Sequence, residues 1–178
     1  MGVTKGRDRY DELLVKSVNK LLSMRVFVGI PETNNARDEG GITNSQLGYI
    51  NENGSPLQGI PARPFLAPGV ASIKREIAAA LKQIGTDALS DKPNKETRVR
   101  NGLTALGLKA AGAVQEYMSD SSHFEPLAPA TIAARKRKGK TDVFPPLKDS
   151  GQMWRSITSV VRPVAPKGAL RKREEEGF

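Results

Sequence analysis

The sequence predicts a single α+β domain in which an antiparallel or mixed sheet packs against two long helices, with an extended proline-rich arm and loop. Three observations lead there. Residues 24–30, Met-Arg-Val-Phe-Val-Gly-Ile, are β-branched and aromatic and stop at Pro31, the signature of a strand. A second strand pattern covers residues 154–161, far along the chain, and ends at Arg162-Pro163. Between them lie two long runs with apolar residues at helical spacing, so the strands must be brought together from a distance.

Each element has its own justification. Residues 8–23 place Leu14, Val18, Leu21 and Leu22 at helical spacing behind Asp8, with Asp11 and Glu12 in the first turn. Residues 32–41 are polar and glycine-ended, a loop or long hairpin arm. Ile42, Leu47 and Ile50 form a short periodic segment ending at Asn53-Gly54, a pair suited to the left-handed residue that closes a helix. Pro56, Pro61, Pro64 and Pro68 then predict an extended backbone. Arg63 and Phe65 lie inside that arm, where low conformational freedom would reduce the ordering cost of an interface. The same stretch reads equally as a structured connector between two elements.

Val70, Ile73, Ile77, Leu81 and Ile84 trace one amphipathic helix. After a polar break at residues 90–95, a second helix is expected over about 97–118, with Val99, Leu103, Leu106, Ala110, Val114 and Tyr117 as its buried stripe. Gly102, Gly107 and Gly112 interrupt it, and a helix-interior glycine costs about 1 kcal/mol relative to alanine. Close approach of a neighbouring helix or strand is the expected reason. Residues 128–131 open a short helix carrying Ile132 and a basic block. Pro145-Pro146-Leu147, a turn at Asp149-Ser150-Gly151 and the second strand follow. In that strand Trp154, Ser156, Thr158 and Val160 alternate with Arg155, Ile157, Ser159 and Val161, so both faces are expected to be partly covered. The chain therefore divides into an amino-terminal helix (1–24), a main domain (25–161) and a basic-acidic tail (162–178).

Composition narrows the function classes. At 178 residues with 38% hydrophobic content and a mean hydropathy of -0.44, the chain can build one domain with a lean core. It has no apolar run of about 18 residues, so no membrane-spanning helix is expected. Residues 1–14 lack a secretory apolar stretch, and Met-Gly followed by Gly6 and Arg7 departs from the myristoylation pattern. Synthesis in the cytoplasm is the expectation.

With no cysteine, disulfides, thiolate nucleophiles and thiolate zinc sites are excluded. The one histidine, His123, lies among serines and prolines without a glycine-flanked nucleophile elbow and reads as an exposed loop residue. A hydrolase would have to combine it with Asp120 and a serine. Gly139-Lys140-Thr141 fails as a phosphate loop, because Ala134 stands where that motif needs glycine. A protein without enzymatic activity or cofactor is expected.

The net charge of +9 and pI near 9.9 are unevenly distributed. Arg135, Lys136, Arg137, Lys138 and Lys140 form a dense block with no acidic residue before Asp142. Its functional readings are phosphate contact or attraction to an acidic protein rim, and its plain reading is a solvated loop. A second basic run, Lys167, Arg171, Lys172 and Arg173, meets Glu174, Glu175 and Glu176 and partly neutralises itself.

Three blocks in order resemble the phage virion morphogenesis family, which includes Mu-type neck and tail-completion proteins. The first is residues 47–54 with Ile60-Pro61-Ala62-Arg63-Pro64-Phe65-Leu66. The second is the glycine-bearing helix ending in Val114-Gln115-Glu116-Tyr117-Met118. The third is Phe124, Pro126-Leu127-Ala128-Pro129-Ala130-Thr131-Ile132 and Arg135, followed by Pro146-Leu147, Asp149-Ser150-Gly151-Gln152-Met153 and Ser156-Ile157. They span residues 25–161. The family more often has threonine in the turn that here reads Asp149-Ser150-Gly151.

The resemblance implies a structural virion protein of the neck, completing the tail or joining it to the head connector as a homo-oligomeric ring. Six copies would match a tail tube, and twelve would match a portal ring. Its partners would be the head connector or portal adaptor and the tail-tube or tail proteins, with no membrane involved. It would reside in the virion after assembly in the host cytoplasm. A ring needs one patch of each copy to bind a different patch of the next. The expected interface residues are Asn51, Glu52, Gly54, Ile60, Pro61, Ala62, Arg63, Pro64 and Phe65 in the arm region, with Leu147, Ser150, Gly151 and Met153 in the later loop. Phe65 is the expected aromatic anchor. The basic block of Arg135, Lys136, Arg137, Lys138 and Lys140 would face genomic DNA in the channel or dock on acidic partner surfaces. It is expected to be exposed, so that reversing Arg135, Arg137 and Lys138 leaves the fold intact. The alternative is a basic nucleic-acid-binding module without catalytic activity, although aromatics are only 5% and no recognised binding motif is present.

Overall fold

A computed structural model describes residues 18–21, 23–37, 41–90, 93–141 and 145–164. Residues 18–21 are helical. The rest of the helix expected over 8–23, and the tail beyond Val164, lie outside the described residues. The elements are β1 (Met24–Gly29), α1 (Asn44–Asn53), α2 (Leu66–Ser72), α3 (Lys74–Leu89), α4 (Lys95–Ser119), α5 (Pro129–Arg137), α6 (Gln152–Ser156) and β2 (Thr158–Pro163). Single turns of 3-10 helix at Glu32–Asn34, Pro56–Gln58 and Ser121–His123 punctuate the connections. The fold is α+β: β1 and β2 pair as a two-stranded antiparallel sheet, with every named helix between them in sequence. At one end of the pairing the Val164 N–H donates to the Ser23 carbonyl at 2.5 Å. No helix among the described residues is long and apolar enough to cross a membrane.

The chain forms two compact units. The first comprises Met1–Phe27, Glu76–Leu106 and Val160–Phe178, and the second Val28–Arg75 and Gly107–Ser159. In the first, Ile84 and Ala88 of α3 pack with Val99, Leu103 and Leu106 of α4, and Met24, Val26 and Val161 from the two strands lie against them. This is the expected packing of strands on two long helices. At Gly102 a Cβ would come within 2.8 Å of Ile84 Cγ1, so the predicted close approach is real there. It is not at Gly112, where an added Cβ would meet no neighbouring element within 4 Å. Asp87 and Arg98 bridge the two helices at 3.0 Å.

The second unit is centred on Val114, the most deeply buried large side chain, with Phe65, Ala111, Met118, Phe124, Leu147, Met153 and Ile157 around it. Gly69 of α2 packs directly on α4 here: a Cβ would lie 2.7 Å from Val114 Cα.

Three expectations require correction. The helix expected over residues 70–84 is two helices, broken at Ile73, whose backbone leaves helical geometry (φ −106°, ψ 24°). Its apolar stripe serves two cores, Val70 belonging to one and Ile77 and Ile84 to the other. The second strand begins at Thr158 rather than at Trp154, because residues 152–156 are a helical turn. Gln115 holds that turn, its amide donating to the carbonyls of Trp154 (3.0 Å) and Ile157 (3.2 Å) while its own carbonyl accepts from the Trp154 indole (2.9 Å). Met153 and Ile157 are both buried while Arg155 between them is exposed, although a strand would put all three on one face; burial four residues apart without the middle one fits a helical turn.

The third correction concerns the proline arm, which is folded rather than extended. Gly54 closes α1 at φ 76°, a positive value as the sequence implied, and a Cβ there would sit 2.8 Å from the Ala62 nitrogen. Ser55 and Ile60 then pair as an isolated antiparallel bridge around the Pro56–Gln58 turn. Arg63 and Phe65 do not project. They are 6% and 3% exposed, built into the core of their own chain.

Candidate interaction groove

Two sets of residues chosen from distant parts of the sequence meet in one groove of about 300 Å³ in the second unit. α1 supplies Leu47 and Asn51 to its wall, and Arg37 stands before that helix. Thr131, Ala134 and Arg135 of α5 line it together with Lys138, the residue that caps the helix. The loop ahead of α6 contributes Pro146, Leu147, Asp149, Ser150 and Gly151, and α6 itself contributes Met153.

The groove takes its shape from backbone features of ordinary origin. Thr43 and Gln46 form a reciprocal capping box that starts α1 and sets the phase of Leu47 and Asn51. The Asn51 amide donates to the Leu47 carbonyl at 2.9 Å and contacts Met153 Sδ at 3.6 Å, tying the helix to the opposite wall. Pro129 begins α5, where a missing N–H costs nothing. Gly151, at φ 75°, turns the chain into α6, and Arg155 steadies that turn by donating to the Ser150 carbonyl at 3.2 Å.

Asp149 is the electrostatic centre. It pairs with Lys140 and lies 3.4 Å from Arg135 Nε. Arg135 is only 7% exposed and also donates to the Pro145 carbonyl at 2.8 Å. Partial burial works to raise the Asp149 carboxyl, but the hydrogen bond and charge of Lys140, with the charges of Arg135 and Lys138, outweigh it and hold the group below its ordinary value.

The basic block is therefore not one exposed patch, and that expectation is corrected. Arg135 is buried and Lys140 is engaged with Asp149, so both work inside the fold. Only Lys136, Arg137 and Lys138 are exposed. Arg135, Lys136 and Arg137 also occupy the last turn of α5, where positive charge complements the carbonyl end of the helix.

Of the expected interface residues, Asn51, Leu147, Ser150, Gly151 and Met153 line the groove, Leu147 and Met153 as largely buried floor. The others lie elsewhere. The Glu52 carboxylate accepts the N–H groups of Phe65 and Leu66. Gly54 forms the turn and Ile60 pairs with Ser55. Arg63 donates from Nε to the Glu125 carbonyl (2.9 Å) and from Nη2 to that of Pro126 (3.1 Å). Phe65 is core, Pro61 half-buried, and Ala62 and Pro64 exposed.

Sequence reasoning missed the most exposed apolar surface among the described residues of this unit. Leu57 at the tip of the Pro56–Gln58 turn is fully exposed, and Tyr49 and Ile42 are 70% and 45% exposed. Ile42 and Tyr49 share a shallow depression with Ser45, Gln46 and Ile50. For Leu57 a signal existed: a leucine between Pro56 and Gly59, inside a tight turn, has nowhere to bury.

Asp120, Ser122 and His123 do cluster, but without the order of a nucleophilic relay. The Ser122 hydroxyl donates to Asp120 at 2.7 Å, and His123 faces the Tyr117 carbonyl and Asp120 while stacking on the Tyr117 ring. This is a capped 3-10 turn, with Asp120 accepting the Ser122 N–H. Among the described residues no group of three or more His, Cys, Asp or Glu side chains could hold a metal ion. Comparison with protein-family models, with curated proteins and with solved structures gave no match.

Proposed function

We propose that this chain is a structural phage virion protein of the neck or head–tail junction, completing the tail or joining it to the head connector as a homo-oligomeric ring. Six copies suit a tail tube, and twelve would suit a portal ring. The ordered blocks over residues 25–161 supply the family resemblance. The observation that carries the reading is the rigid display of Leu57. The turn that bears it is closed by the Ser55–Ile60 pairing, and the segment leaving it is anchored by the buried Arg63 clamp. A fully exposed leucine on a pre-ordered turn, with Tyr49 exposed on the preceding helix, gives an apolar surface whose ordering cost is already met. Such a surface can act as one half of a heterologous contact, with the next copy or a neck partner supplying the other half. The donor element is thus the tip of the turn rather than Arg63 and Phe65.

The test mixes the protein with the head-connector and tail-tube proteins of its own phage and measures assembly mass by native mass spectrometry. Wild type should form a closed ring. Leu57→Asp should keep the wild-type melting temperature and lose the ring. A chain that stays monomeric with those partners, or a Leu57→Asp variant that assembles normally, would sink the reading. Tight binding to duplex DNA by the monomer, with a steep salt slope, would instead favour a nucleic-acid-binding module working through Lys136, Arg137 and Lys138.

A further inference from the structure

We propose that the groove is the receptor for the acidic segment of a second copy of this chain, Glu174-Glu175-Glu176-Gly177-Phe178. The inference rests on the ring reading for its occupant and on the groove itself for its chemistry.

The groove combines two properties. Its rim is basic: Lys138 lines it, and exposed Lys136 and Arg137 precede it on the last turn of α5. Among the described residues the one carboxylate in the lining, Asp149, already faces Arg135 and Lys140 and does little to offset that rim. Its floor is apolar, formed by Leu47, Pro146, Leu147 and Met153. A ligand fitted to both carries several negative charges close to one large apolar side chain. Residues 8–14 also carry three carboxylates near large apolar side chains, but spread around Arg9; only residues 174–178 set three consecutive carboxylates, Glu174 to Glu176, two positions ahead of a phenylalanine. At about 300 Å³ the groove admits one or two such side chains and leaves the remaining glutamates at the rim. The glutamates would then meet Lys138 and Arg37 of the lining, with Lys136 and Arg137 adding charge from outside it, since consecutive helical residues point in different directions. Charge matching of this kind fixes partner and register and speeds encounter more than it adds affinity, as a contact repeated around a ring requires. The cations Arg171, Lys172 and Arg173 would remain outside in solvent.

The probe is a fluorescein-labelled peptide of residues 170–178, read by anisotropy against the full-length chain. Binding should be saturable, fall at least about tenfold with Lys138→Glu, and fall similarly when the three glutamates of the peptide are changed to lysine. A peptide carrying those lysines should regain affinity for the full-length chain bearing Lys136→Glu, Arg137→Glu and Lys138→Glu, and that rescue separates docking from loss of fold. Absence of binding, or binding indifferent to Lys138 and to the peptide's charge, overturns the proposal. So does binding seen only when the chain's own three glutamates are replaced, since the groove would then be filled from within its own chain. Duplex DNA that displaces the peptide at lower concentration than unlabelled peptide also overturns it. The ring reading is judged separately by assembly mass: rings that form with Glu174, Glu175 and Glu176 all changed to lysine overturn this contact and leave the ring standing.

Discussion

The carboxylate of Glu52, near the end of α1, lies across the first turn of α2 and accepts the backbone N–H of Phe65 at 2.7 Å. The Leu66 N–H reaches the same oxygen at 2.9 Å, so one side chain supplies the acceptors that a helix beginning at Leu66 cannot find within itself. Phe65, the residue before that helix, contributes no side-chain cap. Glu52→Ala should cost about 1–3 kcal/mol, the range for leaving such donors unsatisfied. Glu52→Gln, which keeps one acceptor oxygen, should cost less. Urea unfolding of both variants checks the order, and equal midpoints for wild type and Glu52→Ala would remove Glu52 from this role.

Phe65 follows directly from that anchor. Its ring is buried in the Val114 cluster, so Phe65→Ala should remove about 3–5 kcal/mol of stability through the cavity it leaves. The drop in melting temperature should precede any assembly defect and account for it. A variant with unchanged melting temperature and failed assembly would restore Phe65 as an interface anchor.

Gly69 gives a test of the same core from the opposite direction. Because a Cβ at that position would sit 2.7 Å from the Val114 Cα, the obstacle is backbone and cannot rotate away. Gly69→Ala should destabilise by about 1–3 kcal/mol despite the better helix propensity of alanine. Adding Val114→Ala should give little rescue, since it removes the side-chain contacts but not the Cα. Full rescue in thermal unfolding would show the clash to be with the side chain alone.

The basic block divides into structural and surface charges, and reversal should tell them apart. Arg135→Glu removes the donor to the Pro145 carbonyl and sets a carboxylate beside Asp149, so a loss of about 1–3 kcal/mol is expected, as for a buried polar group left without its partner. Lys136→Glu with Arg137→Glu should stay within about 0.5 kcal/mol per site. Chemical denaturation of the two variants is sufficient, and similar midpoints would mean that Arg135 is not structural.

Asp149 makes the pH dependence specific. Its carboxyl titrates below the ordinary aspartate value in the folded chain, so its contribution is present above that ordinary value, about 3.9, and is lost as pH falls through the lower folded value. The difference in urea midpoint between wild type and Asp149→Asn should be constant near neutrality and close as pH drops below about 4. A gap that persists unchanged at pH 3 would assign the difference to packing rather than charge.

What the sequence determined by itself is local. Gly54 stops α1 with a positive φ and the β-branched run at residues 24–29 forms a strand, because each depends on backbone dihedrals and hydrogen bonds within a few residues; the Thr43–Gln46 box that starts α1 is equally local but went unread. The stripes of Ile84 on α3 and of Val99, Leu103 and Val114 on α4 were legible for the same reason. What the tertiary structure decided is which charged and aromatic residues face inward. Arg63 and Arg135 look like surface groups in sequence, and the carbonyls and carboxylate that make their burial tolerable come from Glu125, Pro126, Pro145 and Asp149, on other segments. Met153 and Trp154 likewise coil into a helix turn rather than a strand because Gln115, 39 residues before Trp154, holds them there. Burying a charge or turning a short segment requires partners that no local pattern encodes, so the groove appears only when α1, α5 and the loop before α6 are folded together.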